Sequence, residues 1–152
     1  GGKINFNAGT SDFITYKEDV HQLDYISGGS LFTHANSFME IGLLPEEYFL
    51  YWEEADWCYR AKNIGYSLLL CDQAICYDKV STTIGKGFLA DYYYTRNGLQ
   101  FLSKFKNVKV PTALFFSLFR FIIRIVSGQP TRARGVYAGM RSFLNKKMHA
   151  YK

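Results

Sequence analysis

Residues 48–60 read YFLYWEEADWCYR, and this stretch decides how the rest of the chain is interpreted. Three carboxylates, Glu53, Glu54 and Asp56, fall within four positions, and a tryptophan stands on either side of them. Like charges this close repel one another, and aromatic neighbours indicate partial burial, so the cluster costs free energy. The stretch therefore indicates proton transfer, metal binding or sugar recognition.

The same stretch predicts a helix over residues 53–64, because Gly65 is a residue suited to the end of a helix. Acidic side chains are favoured in a first helical turn, where the helix dipole stabilises negative charge. A structural interpretation therefore stays open, in which the acids start the helix and Asp56 pairs with Arg60 one turn later. The aromatic context favours a functional interpretation.

Hydrophobic periodicity and turn residues predict the other elements. Residues 1–23 have the character of a loop or an edge strand, and residues 78–87 are predicted to form a mobile loop because they are rich in Ser, Thr and Gly. The remaining predicted elements are strands over residues 24–27, 66–71 and 74–77, and helices over residues 36–41, 88–105 and 111–127.

Charge is divided unevenly along the 152 residues, although the net charge is only +5. Residues 1–91 hold all 13 acidic residues and 6 basic ones, whereas residues 92–152 hold 12 basic residues and no acidic one. Such asymmetry indicates a basic region that meets phosphates, on an anionic membrane or on nucleic acid. No nucleic-acid motif is recognisable, so the prediction is a membrane partner and no nucleic acid.

The helix predicted over residues 111–127 is apolar except for one stripe of Ser117, Arg120, Arg124 and Ser127. Its length of about 25 Å is short for a bilayer core of about 30 Å, and two arginines make spanning costlier. The pattern favours a helix lying in the membrane surface. The alternative is a helix packed on the domain with its arginines facing water.

The three cysteines do not form a disulfide framework, since their number is odd, and they indicate a reducing compartment. Cys71 and Cys76 lie close in sequence, but no histidine accompanies them, which argues against a zinc site. The prediction is that Cys58, Cys71 and Cys76 are small buried hydrophobic residues.

With these residues in view, the chain resembles the family 2 glycosyltransferases with a GT-A fold, especially bacterial enzymes that build surface polysaccharides. The resemblance covers about residues 24–145. Its motifs occur in order and are completed by Arg60 and Gly65; they are YISGGS at 25–30, GLLPEEYF at 42–49, YWEEADW at 51–57, KVS at 79–81 and YYYTRN at 92–97.

The resemblance implies an α/β fold, namely a partial GT-A, Rossmann-like domain. Donor binding in this family needs an N-terminal half with an Asp-x-Asp motif, and no such motif occurs in the sequence. The expected organisation is therefore the acceptor-side part of the domain over residues 1–107, lacking its nucleotide-binding half, and a basic amphipathic helical extension over residues 108–152. The opening Gly1-Gly2-Lys3 fits the middle of a longer polypeptide.

The resemblance also implies roles for particular residues. The second acid of the family's motif is the catalytic base of inverting transfer, and this position is Glu54, a Glu where the family usually has Asp. Arg96 would face the diphosphate or hold the preceding loop by hydrogen bonds. The remaining substrate-binding residues implied by the resemblance are Gly28, Gly29, Trp52, Glu53, Asp56 and Trp57.

Relatives often carry a metal-binding or diphosphate-binding His where this chain has Asp78, so Asp78 becomes a candidate metal ligand. The implied cofactor of the full-length enzyme is a divalent metal, Mg²⁺ or Mn²⁺. The implied partners are a nucleotide-diphosphate sugar, donating a hexose or deoxyhexose, and a glycan or lipid-linked acceptor. The expected location is the bacterial cytoplasm, peripheral at the inner face of the cytoplasmic membrane, and the chain alone is expected to be inactive.

A non-catalytic module for membrane docking or assembly is the alternative, because residues 92–152 are basic and include an apolar helix. A metal-dependent hydrolase fits less well, since no His-rich spacing accompanies the acids.

Overall fold

The computed structural model of the chain describes residues 1–14, 23–71, 73–77 and 85–147. Over these residues the fold is mixed α/β and mostly helical, with a single small sheet of two strands. Its strands are β1 (Gly2–Asn5) and β2 (Thr10–Phe13). Its helices are α1 (Ala35–Ile41), α2 (Glu53–Asn63), α3 (Phe88–Phe105), α4 (Val110–Val126) and α5 (Pro130–Leu144).

Four predicted helices are confirmed to within one or two residues. Helix α1 ends at Gly42 and the chain after α2 turns at Gly65, each with a positive φ that glycine adopts without strain. The predicted strands over residues 66–71 and 74–77 are wrong for every described residue, since none of these pairs with a neighbouring strand. The strand predicted over residues 24–27 is reduced to one antiparallel bridge between Tyr25 and Gly2.

The cysteine prediction is confirmed for Cys58, which is fully buried, and is wrong for Cys71 and Cys76, which are exposed. Both exposed cysteines lie in the segment that was predicted to form strands. Without a paired sheet to cover them, their side chains stay at the surface.

The described chain divides into two compact units. The first consists of Gly1–Ile4, Ser11–Glu46 and Glu53–Asp78, and the second of Asn5–Thr10, Glu47–Trp52 and Lys79–Lys152. The core of the first unit contains buried residues of α1, of α2 and of the chain before them. Among them are Leu23, Tyr25, Ile41, Trp57 and Cys58. The domain division predicted at residue 107 stays a prediction.

The second unit is built on α3, against which α5 packs closely. Gly135 and Gly139 make this approach possible, because a Cβ at Gly139 would lie 2.6 Å from the carbonyl oxygen of Tyr92. Buried aromatic and aliphatic side chains fill the interior, including Tyr92, Tyr93, Phe101, Leu102 and Val136.

Helix α4 packs on this unit with Ser117, Arg120 and Arg124 of its polar stripe inward, the reverse of an ordinary surface helix, while Ser127 just after the helix is exposed. Ser117 is buried, and Arg120 donates a hydrogen bond of 2.7 Å to the hydroxyl of Thr95 on α3. The alternative is confirmed in that α4 packs on its unit, and it is wrong in that Arg120 and Arg124 are bonded to α3 instead of facing water. The outward residues, called the apolar face below, are Phe115, Phe116, Leu118, Phe119, Ile122, Ile123, Ile125 and Val126, all between 42% and 81% exposed.

Candidate functional site

Glu53 and Glu54, called the carboxylate pair below, are the first two residues of α2. Both side chains are partly buried, and the Oε2 atom of each is buried without a hydrogen-bond partner among the described residues. A buried polar atom without a hydrogen-bond partner costs free energy, so binding a proton or a ligand would stabilise the carboxylate pair.

The pKa of Glu54 is raised from 4.5 to about 7. Burial is the largest cause, followed by repulsion from the charge of Glu53 and a side-chain hydrogen bond between the two carboxyl groups, while the backbone N–H groups of Glu54 and Gly28 act in the opposite direction. A carboxyl group with this pKa exchanges its proton near neutral pH.

The glycine turn Gly28–Ser30 lies beside Glu54 and is open to solvent. A Cβ placed on Gly28 would lie 3.8 Å from the Cβ of Glu54, and one placed on Gly29 would meet nothing within 4 Å. The structure thus brings together Gly28 and Glu54, which are about 25 positions apart in sequence, and leaves open space beside Gly29.

Asp56, in contrast, belongs to the framework of the first unit. Its side chain is fully buried, and its Oδ1 accepts a hydrogen bond of 2.8 Å from Arg60. The guanidinium of Arg60 also donates to the carbonyl oxygens of Ile41, the last residue of α1, and of Leu43 just after it. The predicted pairing of Asp56 with Arg60 is confirmed, and its consequence is to fix the end of α1 against α2.

Both tryptophans of the motif are buried packing residues, each within its own unit. Trp57 is 2% exposed and donates a hydrogen bond of 2.8 Å to the carbonyl oxygen of Gly42. Trp52 is 3% exposed, donates to the carbonyl oxygen of Tyr94 and packs on Phe101 with ring centroids 5.2 Å apart. Of the two roles that aromatic side chains play beside a sugar site, stacking or support, these positions fit support.

Arg96 is fully buried on α3 and holds a loop of the second unit. It donates hydrogen bonds of 3.2 Å and 2.9 Å to the carbonyl oxygens of Glu47 and Tyr48. Arg96 thus holds residues 47–51 and not the loop that precedes α3, most of which lies outside the described residues. A direct contact with a diphosphate does not fit so deeply buried a side chain.

Asn97 completes this clamp and has no role in the sequence-based prediction. Its side-chain amide donates to the carbonyl oxygens of Tyr48, Leu50 and Tyr51 at distances of 2.7 to 3.0 Å. The clamped segment and the residue after it are strained, because three non-glycine residues there have φ between 62° and 78°, a conformation that L-residues rarely adopt. They are Phe49, Tyr51 and Trp52.

The described residues do not form a metal site by themselves. No group of three or more His, Cys, Asp and Glu side chains among them is arranged to hold an ion, and the carboxylate pair offers two residues only. The candidate ligand Asp78 lies outside the described residues. The divalent metal implied for the full-length enzyme stays a prediction, and no step of the chemistry below depends on it.

None of the described helices combines the length and the apolar character that a membrane-spanning helix requires. Comparison of the chain with protein-family models, with curated proteins and with solved structures finds no match.

Proposed function

We propose that this chain is the acceptor-binding and catalytic-base portion of an inverting glycosyltransferase, which moves a hexose or deoxyhexose from a nucleotide-diphosphate donor to the hydroxyl of a glycan or lipid-linked acceptor. The observation that carries the proposal is the partly buried carboxylate pair, in which the pKa of Glu54 is about 7. General-base catalysis is most effective when the pKa of the base lies near the working pH.

In the proposed reaction the carboxylate of Glu54 removes the proton from the acceptor hydroxyl. The acceptor oxygen forms a bond to the anomeric carbon of the donor sugar while the bond from that carbon to the diphosphate oxygen breaks. The configuration inverts, and the nucleoside diphosphate leaves. The open space beside Gly29 is where a hydroxyl-bearing acceptor approaches the base.

The segment after α2 supports the idea that a further, donor-binding half completes a GT-A domain. Its described residues have strand-like composition but no paired strand, and four large side chains are between 51% and 93% exposed, namely Leu69, Leu70, Ile75 and Tyr77. Apolar residues of this kind are normally covered by neighbouring strands of a sheet. In the proposal, strands of the donor-binding half cover them.

The test is made in the enzyme that contains this chain together with a donor-binding half. Glu54→Gln is expected to lower the turnover number by about 10²–10⁴-fold, the usual contribution of a general base, with donor binding retained. Wild-type activity is expected to fall as the pH drops below about 7, because protonated Glu54 cannot accept a proton. Glu46→Gln, at an exposed site, is the matched control. Near-normal turnover of Glu54→Gln would contradict the assignment.

A second function, membrane docking, is favoured by the inverted packing of α4. Eight large apolar side chains on one face are an unusually large exposed patch for a soluble protein, and such patches mark interaction sites. A groove of about 590 Å³ continues this surface between α4 and α5, lined mainly by apolar residues such as Leu114, Leu118, Met140 and Leu144.

The charge of this region selects an anionic lipid surface as the partner. Residues 92–152 carry no acidic side chain, and several of their basic residues are exposed, among them Lys106, Arg134, Arg141, Lys146 and Lys147. Apolar insertion and basic attraction act together for helices that lie in a membrane surface. The two functions are compatible, since a membrane-bound transferase meets lipid-linked acceptors.

Vesicle flotation of the chain tests the docking function. Binding is expected to phosphatidylcholine vesicles that contain anionic lipid, and to be weaker without it. The double variant Phe115→Gln with Phe119→Gln removes two phenyl rings from the apolar face, and a loss of about 1 kcal/mol for each ring predicts binding about 30-fold weaker. Phe32→Gln, at a ring that is 95% exposed elsewhere, is the control. If the wild-type chain does not float with vesicles of either composition, the docking function is ruled out.

A further inference from the structure

Two arginines of the second unit contact the carboxylate of Asp91 on α3, beside the turn between α4 and α5. Arg132 donates to Asp91 at 2.6 Å, and Arg124 reaches the same carboxylate at 3.5 Å. Both also donate to the side-chain oxygen of Gln129, at 3.1 Å and 3.2 Å. Arg120 lies one turn before Arg124 on α4 and is held by its hydrogen bond to α3. Arg120, Arg124 and Arg132 are called the arginine cluster below.

The arginine cluster has more positive charge than its protein partners neutralise. Asp91 is its single carboxylate among the described residues, and it is the last acidic residue in the sequence. The Nε atoms of Arg120 and Arg124 are buried and have no hydrogen-bond partner among the described residues. Burial lowers the pKa of Arg120, with the neighbouring arginines adding to this effect. Two free donors and a local excess of two positive charges match a small, doubly charged anion.

The position of the cluster points to a lipid as the carrier of that anion. Arg124 and Arg132 are each about one quarter exposed, so a ligand can reach them from solvent. Arg124 is in the last turn of α4, two residues before Val126, which ends the apolar face and is 81% exposed. A molecule with an anionic head beside an apolar body matches both surfaces, and arginine is the side chain suited to bidentate recognition of phosphate.

We propose that the arginine cluster binds a phosphate group carried by a lipid, whose apolar part lies against the apolar face of α4. Only the lipid part of this proposal rests on the proposed membrane docking. Phosphate recognition itself stands apart from it and from the transferase chemistry of Glu54.

Two kinds of phosphatidylcholine vesicle, adjusted to equal surface potential, separate phosphate recognition from charge attraction. One kind contains phosphatidic acid and the other contains oleate, whose anionic group is a carboxylate. The wild-type chain is expected to bind phosphatidic acid vesicles about ten-fold more tightly than oleate vesicles. The ratio of these two affinities is the measured quantity.

Arg120→Gln and Arg124→Gln are each expected to bring this ratio close to one. Arg134→Gln, at an exposed arginine of α5 outside the cluster, is expected to weaken both affinities equally and leave the ratio unchanged. Should a glutamine variant fail to fold, Arg124→Lys takes its place, since it keeps the charge but loses the forked donors, and the ratio is expected to fall about three-fold or more.

Inorganic pyrophosphate gives the soluble arm of the experiment, measured as the melting temperature of the chain without vesicles. A ratio of ten that the cluster variants abolish supports the proposal. If pyrophosphate raises the melting temperature but the ratio of vesicle affinities is one, the phosphate site is supported and the lipid carrier is overturned. A ratio of one without any effect of pyrophosphate overturns the site, and so does a ratio that Arg134→Gln reduces as much as the cluster variants do. None of these outcomes bears on the role of Glu54.

Discussion

Replacing Glu54 with Gln is expected to stabilise the chain at neutral pH and to leave its stability unchanged near pH 4.5. In the folded state the pKa of Glu54 is about 7, above its ordinary value of 4.5. The folded chain therefore binds more protons than the unfolded chain between these two values, and stability falls as the pH rises through this window. Glutamine, which has no proton to lose, is free of this penalty.

The size of the effect follows from the two pKa values. Their separation corresponds to about 3 kcal/mol at about 1.4 kcal/mol for each tenfold change in proton affinity, and the partial exposure of the carboxyl reduces this to about 2 kcal/mol. The gain of the variant is expected to be absent at pH 4.5, to grow up to about pH 7 and to stay constant above it.

Urea unfolding of the whole chain, repeated at half-unit steps from pH 4.5 to 8.5, measures this difference directly. The control is Glu46→Gln, which removes an exposed carboxylate from the same unit and is expected to change stability by less than about 0.5 kcal/mol at every pH. A difference between Glu54→Gln and wild type that does not vary with pH would refute the reasoning, because burial would then not affect the proton affinity of Glu54.

Other predictions concern the clamp, the helix contact and the thiols. Asn97→Ala removes the side-chain donor from the carbonyl oxygens of Leu50 and Tyr51, while that of Tyr48 keeps Arg96. The variant is expected to cost about 3 kcal/mol in urea unfolding, against less than about 0.5 kcal/mol for the exposed Asn107→Ala; equal effects would contradict a clamp. Gly139→Ala is expected to lower stability by about 2 kcal/mol, since α5 must move away from α3, whereas Gly87→Ala has free space; a neutral Gly139→Ala would show that the helices are not in close contact. A thiol reagent at pH 8 is expected to label two exposed cysteines quickly and Cys58 only on unfolding, because burial also raises the pKa of its thiol; three equal rates would contradict the packing of α2.

Local signals were sufficient to predict four of the five described helices, whereas α5 was expected only as part of a helical extension. Helices α2 and α3 each carry an apolar stripe at helical spacing, and glycine marks the turn after α2, so sequence neighbours alone fix their limits. The strands after α2 could not be predicted in the same way, because a strand exists only when another strand pairs with it. The composition of residues 66–71 favours a strand, but no described strand provides the partner.

The candidate site was predictable in part. The resemblance of the acidic motif to a family motif indicated Glu54. The structure adds the partial burial that raises its pKa and the neighbouring turn at Gly28, whose N–H lowers it. The clamp of Asn97 was not predictable, since its acceptors are 46 to 49 positions away and carry no sequence signal. The sequence of α4 showed a polar face and an apolar face, but it did not show which of them packs on the protein. The periodicity is the same whether the polar or the apolar face points inward.

The inverted packing of α4 reverses the usual rules of substitution for a surface helix. On most such helices a designer gains solubility by leaving the apolar side alone and altering the polar side. Here, Phe116 or Ile123 can be exchanged for a polar residue at little cost to folding, whereas an aliphatic residue at Ser117 or Arg120 would disrupt the interior. Random mutagenesis selected for high yield of the free chain would therefore collect polar replacements along the apolar face and deplete them along the stripe.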